Sequence, residues 1–161
     1  MSLPSPWTLR AAKKGDTRRV FEWANDPVTR AASFQSEPIQ WKHHIRWFEC
    51  SLESPKRYLF IAEYAGIPTA LLRFDRHGDG SDWSIATIGV NVSPSERGKG
   101  LGTELLRHGT ALAGRLSIGC IHAEIRSENV ASRRAFEKAG YVYAGEADKG
   151  GLAAVLYVIE P

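Results

Sequence analysis

Ile88-Gly-Val-Asn-Val-Ser-Pro-Ser-Glu-Arg-Gly-Lys-Gly-Leu-Gly-Thr103 is the stretch from which the rest of this chain is read. It opens as an apolar, β-branched strand and breaks at Ser93-Pro94. It then turns through Gly98, Gly100 and Gly102 into a leucine pattern at Leu101, Leu105, Leu106 and Leu112. Strand, glycine-rich turn and helix in that order gather unpaired backbone N–H groups at the positive end of a helix dipole. Such a site suits a phosphate or pyrophosphate. Glycine matters there because a side chain would hold the ligand away from the backbone. Arg97 and Lys99 add positive charge at the mouth.

Two familiar phosphate loops fail on these residues. A P-loop closes with Lys-Ser or Lys-Thr, whereas Leu101 here precedes Gly102-Thr103. A dinucleotide loop reads G-x-G-x-x-G, and the spacing here is G-x-G-x-G. Glu124 does lie at the distance of a ribose-binding acid, but 161 residues are too few for a dehydrogenase with its own substrate domain. The order Arg97-x-x-Gly100-x-Gly102 instead resembles the signature of the GNAT superfamily of N-acetyltransferases. The resemblance implies that Arg97, Gly98, Lys99 and Gly100, with Leu101, Gly102 and Thr103, cradle the pyrophosphate of acetyl-CoA.

A second segment, Ile121 to Tyr141, strengthens the likeness. It reads as strand, turn and helix, with Asn129 as N-cap and Gly140 as a left-handed residue past the helix end. The run Asn129-x-x-Ser132-x-x-x-Phe136-x-x-x-Gly140-Tyr141 again resembles that superfamily. There the implied role of Asn129, Ser132 and Phe136 is to approach the pantetheine arm. Asn91 and Val92, at the end of the preceding strand, would then flank the thioester, with backbone N–H near Val92 polarising its carbonyl. The implied fold is α/β: a mixed, twisted seven-stranded sheet flanked by helices, its central strand pair splayed to admit the cofactor.

Composition sets the bounds. A chain of 161 residues, 43% hydrophobic and 24% charged, is large enough for one buried core. The expectation is one acetyltransferase domain over 1–161, with acceptor-side helices in 1–55 and the acetyl-CoA core in 83–140. A net charge of +3, spread rather than clustered, gives no case for nucleic acid. No apolar run reaches membrane-spanning length, and Met-Ser-Leu-Pro-Ser-Pro has no signal-peptide pattern, so a cytoplasmic protein is expected. Cys50 and Cys120 lack metal-like spacing and sit in apolar patterns, which predicts buried free thiols and no metal site.

Along the chain, a first strand is predicted over Trp7–Ala12, then a helix capped by Gly15-Asp16 and ended by Asn25-Asp26-Pro27. A short helix is predicted near Thr29–Ser33. The stripe Trp41, Ile45, Phe48 and Leu52 predicts a third over Gln40–Leu52. Strands follow at Arg57–Tyr64 and Pro68–Phe74, around a tight Ala65-Gly66 turn. The Asp75–Asp82 loop, with Gly78 and Gly80, leads into a strand over Trp83–Val92. Beyond the glycine loop and its helix come a strand at Ile118–Ile125, a helix at Val130–Ala139, and strands at Tyr141–Ala147 and Leu152–Ile159.

The front third is rich in aromatics and imidazole. Trp23, Asn25, Arg30 and Trp47 form a spaced set that reads either as an acceptor pocket or as core, turn and surface residues. The pattern resembles the branch that acetylates nucleotide-linked 4-amino sugars, which implies a UDP-linked amino sugar as the amine. Ribosomal-type N-terminal acetyltransferases share the tail of the pattern, so a peptide amine is the alternative acceptor. A homodimer through sheet edges is a further expectation.

The acid–base chemistry departs from the familiar members. Many carry Tyr four residues after the serine, where this chain has Phe136. Many also carry Glu on the strand before the glycine loop, and Trp83 to Val92 contains no carboxylate. The candidates that remain are Glu124 and His44, whose imidazole titrates near about 6.5 when unperturbed. The missing groups keep a non-catalytic acyl-CoA-binding module open as another class.

Overall fold

The computed structural model describes residues 5–79 and 81–161. Residues 1–4, which carry most of the signal-peptide reading, and Gly80 of the predicted loop lie outside the described residues. The elements are β1 (Trp7–Ala11), α1 (Thr17–Ala24), α2 (Pro27–Ala32), α3 (Trp41–Glu53), β2 (Arg57–Tyr64) and β3 (Ile67–Arg76). Then come β4 (Ile85–Val92), α4 (Leu101–Arg115), β5 (Cys120–Arg126), α5 (Val130–Lys138), β6 (Val142–Lys149) and β7 (Leu152–Ile159). All seven strands form one mixed sheet in the order β1-β2-β3-β4-β5-β7-β6.

Period-two alternation sorts side chains onto two faces. Leu72 and Phe74 of β3, Ala86 and Ile88 of β4, and Ile121, Ala123 and Ile125 of β5 pack with Leu106 and Ala113 of α4 and Phe136 of α5. Helix α4 comes close because it carries Gly109, where a Cβ would stand 3.1 Å from Leu72 Cδ2. On the other face, Val20 and Trp23 of α1 and Phe48 of α3 cover Leu59, Ile61 and Leu71. Phe48 and Leu72 are fully buried, which stabilises the fold by about 2 kcal/mol each.

Local chemistry moves several boundaries. Helix α2 starts at Pro27 rather than near Thr29. The Asp26 carboxylate accepts from the amides of Val28 (3.0 Å) and Thr29 (3.2 Å), and Pro27 sits in the first turn, where its missing N–H is not needed. Asp16 stands before α1, but its side chain does not cap that helix. It is buried, with Arg10 on both oxygens at 2.8 and 2.9 Å and Arg19 at 2.7 Å. Strand β4 begins at Ile85, and Trp83 instead stacks on Tyr58 with ring centroids 4.3 Å apart. The buried stripe of α3 is His44, Phe48 and Ser51, while Trp41 is 41% exposed. Cys50, expected to be buried, is exposed on α3, and Cys120 is half-buried.

The central strands then part. Strand β4 pairs antiparallel with β3 through Val92, but parallel with β5 only over Ile85–Thr87 against Cys120–His122. Strand β5 continues to Arg126 on β7. From Ile88 onward the β5-facing edge of β4 therefore has no strand partner, and a wedge opens between the two strands.

Candidate active site

At the wide end of the wedge stands the glycine turn. Gly98 and Gly100 both have φ near +74°, a left-handed conformation that side chains resist, and Gly100 is the N-cap of α4. A Cβ on Gly98, Gly100 or Gly102 would meet nothing within 4 Å, so the turn faces open space. Among the described residues, the amides of Gly98, Lys99 and Gly100 make no backbone hydrogen bond in the turn. With the first N–H groups of α4 also unpaired, this is an anion cradle made of main chain. The two charges expected at its mouth are both engaged. Lys99 pairs with Glu96 at 3.1 Å. Arg97 crosses to α2, bonding the Asp26 carboxylate at 2.7 Å and the Thr29 hydroxyl. That Arg97 bond is the main force holding the Asp26 carboxyl below its ordinary range.

A cleft of about 870 Å³ runs from this turn along the wedge and out beneath α1–α3. Asn91, Val92, Arg97 and Gly102 line its upper part, and Asn129, Ser132 and Phe136 line the β5 side. Asn129 caps α5 by accepting from the Ser132 amide at 3.2 Å. The far end of α5 closes as a Schellman turn: Gly140 has φ +99°, and Tyr141 N–H reaches the Phe136 carbonyl at 3.0 Å. That turn seats Phe136 edge-on against Tyr141, centroids 4.9 Å apart. Tyr141 is buried beside Thr110, and burial pushes its phenol up to about 12.

The acceptor-side residues separate into two groups. Arg30, His44, Trp47 and Glu124 line the cleft. Trp23 packs among Phe48, Leu59 and Ile61 in the core. Asn25 clamps the α2–α3 connection, donating to the Ile39 carbonyl at 2.8 Å and accepting from its amide at 2.7 Å. Arg30 spends its donors in the same connection, on the carbonyls of Ala24 (2.6 Å) and Gln35 (2.9 Å). These contacts shape the wall rather than face its contents.

His44 is buried among Phe21, Trp41, Trp47 and Phe48. Its Nε2–H donates to the Thr17 carbonyl at 2.8 Å, which leaves Nδ1 as the acceptor nitrogen. Burial lowers its pKa, against the opposing pull of that hydrogen bond. Glu124 lies on β5 just beyond the last residue paired with β4, and Lys149 of β6 sits 2.6 Å from its Oε2. The ammonium of Lys149 in turn lies 5.1 Å from the centre of the Phe34 ring.

The alternation of β3 and β4 puts further residues on this face that motif reading missed. Arg73, Thr87 and Gly89 line the floor, and Thr87 bonds His77, whose ring meets His122 edge-on. Counting inward and outward positions along β3 to β5 would have found Arg73 and Thr87, because Glu124 shares their face. Among the described residues no group of three or more His, Cys, Asp or Glu could hold a metal ion, and no helix is long and apolar enough to cross a membrane.

Residues 17–141 match the model of the acetyltransferase (GNAT) family. The chain belongs to that family. It is 30% identical over 141 residues to YwnH of Bacillus subtilis, which carries a provisional phosphinothricin acetyltransferase name; the match spans 86% of this chain and 85% of that one. It is 28% identical over 150 residues to an L-methionine sulfoximine/L-methionine sulfone acetyltransferase of Salmonella typhimurium, covering 90% and 85% of the two chains. Among solved structures it resembles YncA of Salmonella typhimurium bound to acetyl-CoA, with TM-score 0.76, 25% identity, and 97% and 94% of the chains covered. The seven-stranded fold is that of the family, and acetyl-CoA is the co-substrate. The cradle suits it, since its left-handed glycines and free amides are what a pyrophosphate requires.

Proposed function

We propose that this acetyltransferase moves the acetyl group of acetyl-CoA directly onto the primary amine of a small molecule held on the α1–α3 side of the wedge. The observation that carries the reading is the single cleft joining the cradle to the acceptor-side floor. Residues 83–140 hold the cofactor and residues 1–55 shape the acceptor wall, all within one domain. The bound cofactor supplies an activated thioester. The chain supplies the free edge of β4 near Val92 to polarise it and α5 side chains to guide the pantetheine arm.

The amine must be neutral to attack, so a group in the cleft has to accept its proton. Glu124 is the first choice, because it stands at the cleft edge where β5 leaves β4. His44 is the second, through Nδ1. For the acceptor, a nucleotide-activated amino sugar is what the resemblance of the front third implies. Of that set, Trp47 is the side chain at the cleft that is not spent in the core or the α2–α3 connection. An α-amino acid analogue is the second reading, favoured by the names of the two relatives described above. The exposed β6 residues Val142 and Tyr143 offer an edge for a homodimer. A cytoplasmic location accords with the use of acetyl-CoA.

Acceptor-dependent release of CoA thiol tests all of this. UDP-linked 4-amino sugars, L-methionine sulfone, amino-terminal peptides and polyamines form the panel. Release with the sugar or the amino acid is the expected result. Release with peptides alone would sink the small-molecule reading, and silence with acetyl-CoA bound would bring the binding module forward against any amine outside the panel. In the active case Glu124→Gln should lower kcat by about 100-fold or more. Full activity in that variant would pass the role to His44.

A further inference from the structure

The floor of the cleft holds a guanidinium whose terminal nitrogens have no hydrogen-bond partner among the described residues. Arg73 lies on β3 directly across from Gly89 of β4. Gly89 lets it come close to β4: a Cβ there would stand 3.2 to 3.4 Å from the Arg73 guanidinium, tight enough that the arginine would have to shift. Its Nε is 2.9 Å from the Asp75 carboxylate, yet the N–H is not aimed at it, and the buried Nε has no hydrogen-bond partner. Arg73 is thus ion-paired to a carboxylate that Arg57 also holds, at 2.5 Å, and among the described residues the Arg73 terminal nitrogens have no hydrogen-bond partner. Trp47 stands beside both guanidiniums, 5.6 Å from Arg57 and 5.9 Å from Arg73.

Charge around the cleft points the same way. Arg30, Arg73, Arg97, Arg126 and Lys149 line it, against the single carboxylate of Glu124. Four of the five cations have partners of their own: Arg30 on backbone carbonyls, Arg97 on Asp26, Arg126 on Ala31, Ser33 and Glu128, and Lys149 on Glu124. Arg73 shares the one carboxylate of Asp75 with Arg57, so two guanidiniums meet a single acid and the terminal nitrogens of Arg73 stay open to the cleft. A polyamine would meet repulsion on this floor, and an oxyanion would not.

Strand register fixes where such an oxyanion lies relative to the chemistry. Thr87 pairs with His122, so Gly89 and Glu124 stand two residues further along each parallel strand, level with each other across the opening. Arg73 is Gly89's partner on the far side. Arg73 and Glu124 therefore face the wedge from opposite sides, their Cα atoms two strand spacings or more apart, on the order of 10 Å.

We infer that Arg73 is the anion anchor of the acceptor site. The amine to be acetylated then belongs to a molecule that also carries an oxyanion, carboxylate or phosphate, reaching from Glu124 to Arg73. This rests on the acetyl-transfer reading above and narrows its substrate class. The planar fork of arginine is suited to bidentate capture of either group.

Matched acceptors test it: L-methionine sulfone against its carboxamide, and a UDP-linked 4-amino sugar against the same sugar without the nucleotide. The first pair probes a carboxylate source and the second a phosphate source. In at least one pair the anionic member should lead in kcat/KM by roughly 10- to 100-fold. Arg73→Gln should collapse that ratio by raising the acceptor KM, and Arg73→Lys should restore part of it. Calorimetric binding of acetyl-CoA to each variant confirms that it folds. Calorimetry with the anionic acceptors in the presence of CoA reads the anchor without turnover. Anion-dependent binding without thiol release would keep the anchor and remove the transfer reading. Thiol release with equal rates for both members of each pair, or an unchanged ratio in Arg73→Gln, would overturn the anchor and leave transfer intact.

Discussion

The segment from Ile85 to Lys138 and the segment from Thr17 to Glu53 line one cleft by different means. The first makes its site from main chain: left-handed glycines, free amides at the start of α4, and a strand edge that loses its partner after Thr87. The second makes its wall from side chains that mostly bind each other, as Asn25 clamps Ile39 and Arg30 binds Ala24 and Gln35. A backbone site must be written as glycine at particular spacings, because few other residues tolerate those angles. A side-chain wall can be built in many ways, so its residues carry no fixed pattern.

The difference sets the size of the expected effects. Gly100→Asp places a carboxylate at the cradle and should weaken acetyl-CoA binding by more than about 100-fold, read by calorimetry. Gly100→Ala adds only left-handed strain, about 1–2 kcal/mol, and should weaken binding by about 10-fold. Native affinity in the aspartate variant would mean that the turn is not where the pyrophosphate sits.

Two tryptophans from the side-chain segment sharpen the contrast. Trp23 is buried with Phe48 and Ile61, so Trp23→Ala should cost about 3–5 kcal/mol in urea unfolding. Trp47 lines the cleft, so Trp47→Ala should act mainly on the acceptor KM. Equal stability losses would show that both serve the core.

These cases also mark what the sequence could reveal. The glycine turn, the Asn129 cap and the Gly140 terminator are local, and each was legible from spacing alone. Trp23 and Trp47 were not separable, because helical spacing does not say which turn of a helix meets the sheet and which overhangs an opening. The stripe through α3 was right at Phe48 and wrong around it: Trp41 is 41% exposed, Ile45 and Leu52 are only half-buried, and His44 takes a buried place with its bond to the Thr17 carbonyl, a contact 27 residues distant. Arg73 was invisible as a site residue, since its meaning depends on Gly89 across the strand pair and on its sharing Asp75 with Arg57.

His44 supplies a prediction on pH. Burial lowers its pKa, so the unfolded chain takes up a proton at a higher pH than the folded one. Stability is then complete above the unfolded value of about 6.5 and declines as the pH falls below it, levelling off once the folded imidazole also charges. His44→Phe should flatten part of that acid-side decline in thermal melts between pH 7 and 5. It should also lower stability at pH 7 by about 1 kcal/mol through loss of the Thr17 hydrogen bond. A decline of unchanged depth would assign it to other groups, of which His122, also lowered chiefly by burial, is the nearest in kind.

The smallest effect tests a place where the acceptor wall holds the glycine turn itself. Asp26 both caps α2 and binds Arg97 of the glycine turn. Asparagine caps as well as aspartate, so Asp26→Asn should leave α2 in place while removing the charge that draws Arg97 away from the cradle. An Arg97 released toward the pyrophosphate should tighten acetyl-CoA binding by roughly two- to fourfold at low salt, with the gain fading as salt screens it. Weaker binding in Asp26→Asn would reverse the interpretation. The bond to α2 would then hold the mouth in its receptive shape, and the acceptor wall would help to build the cofactor site that otherwise needs only backbone.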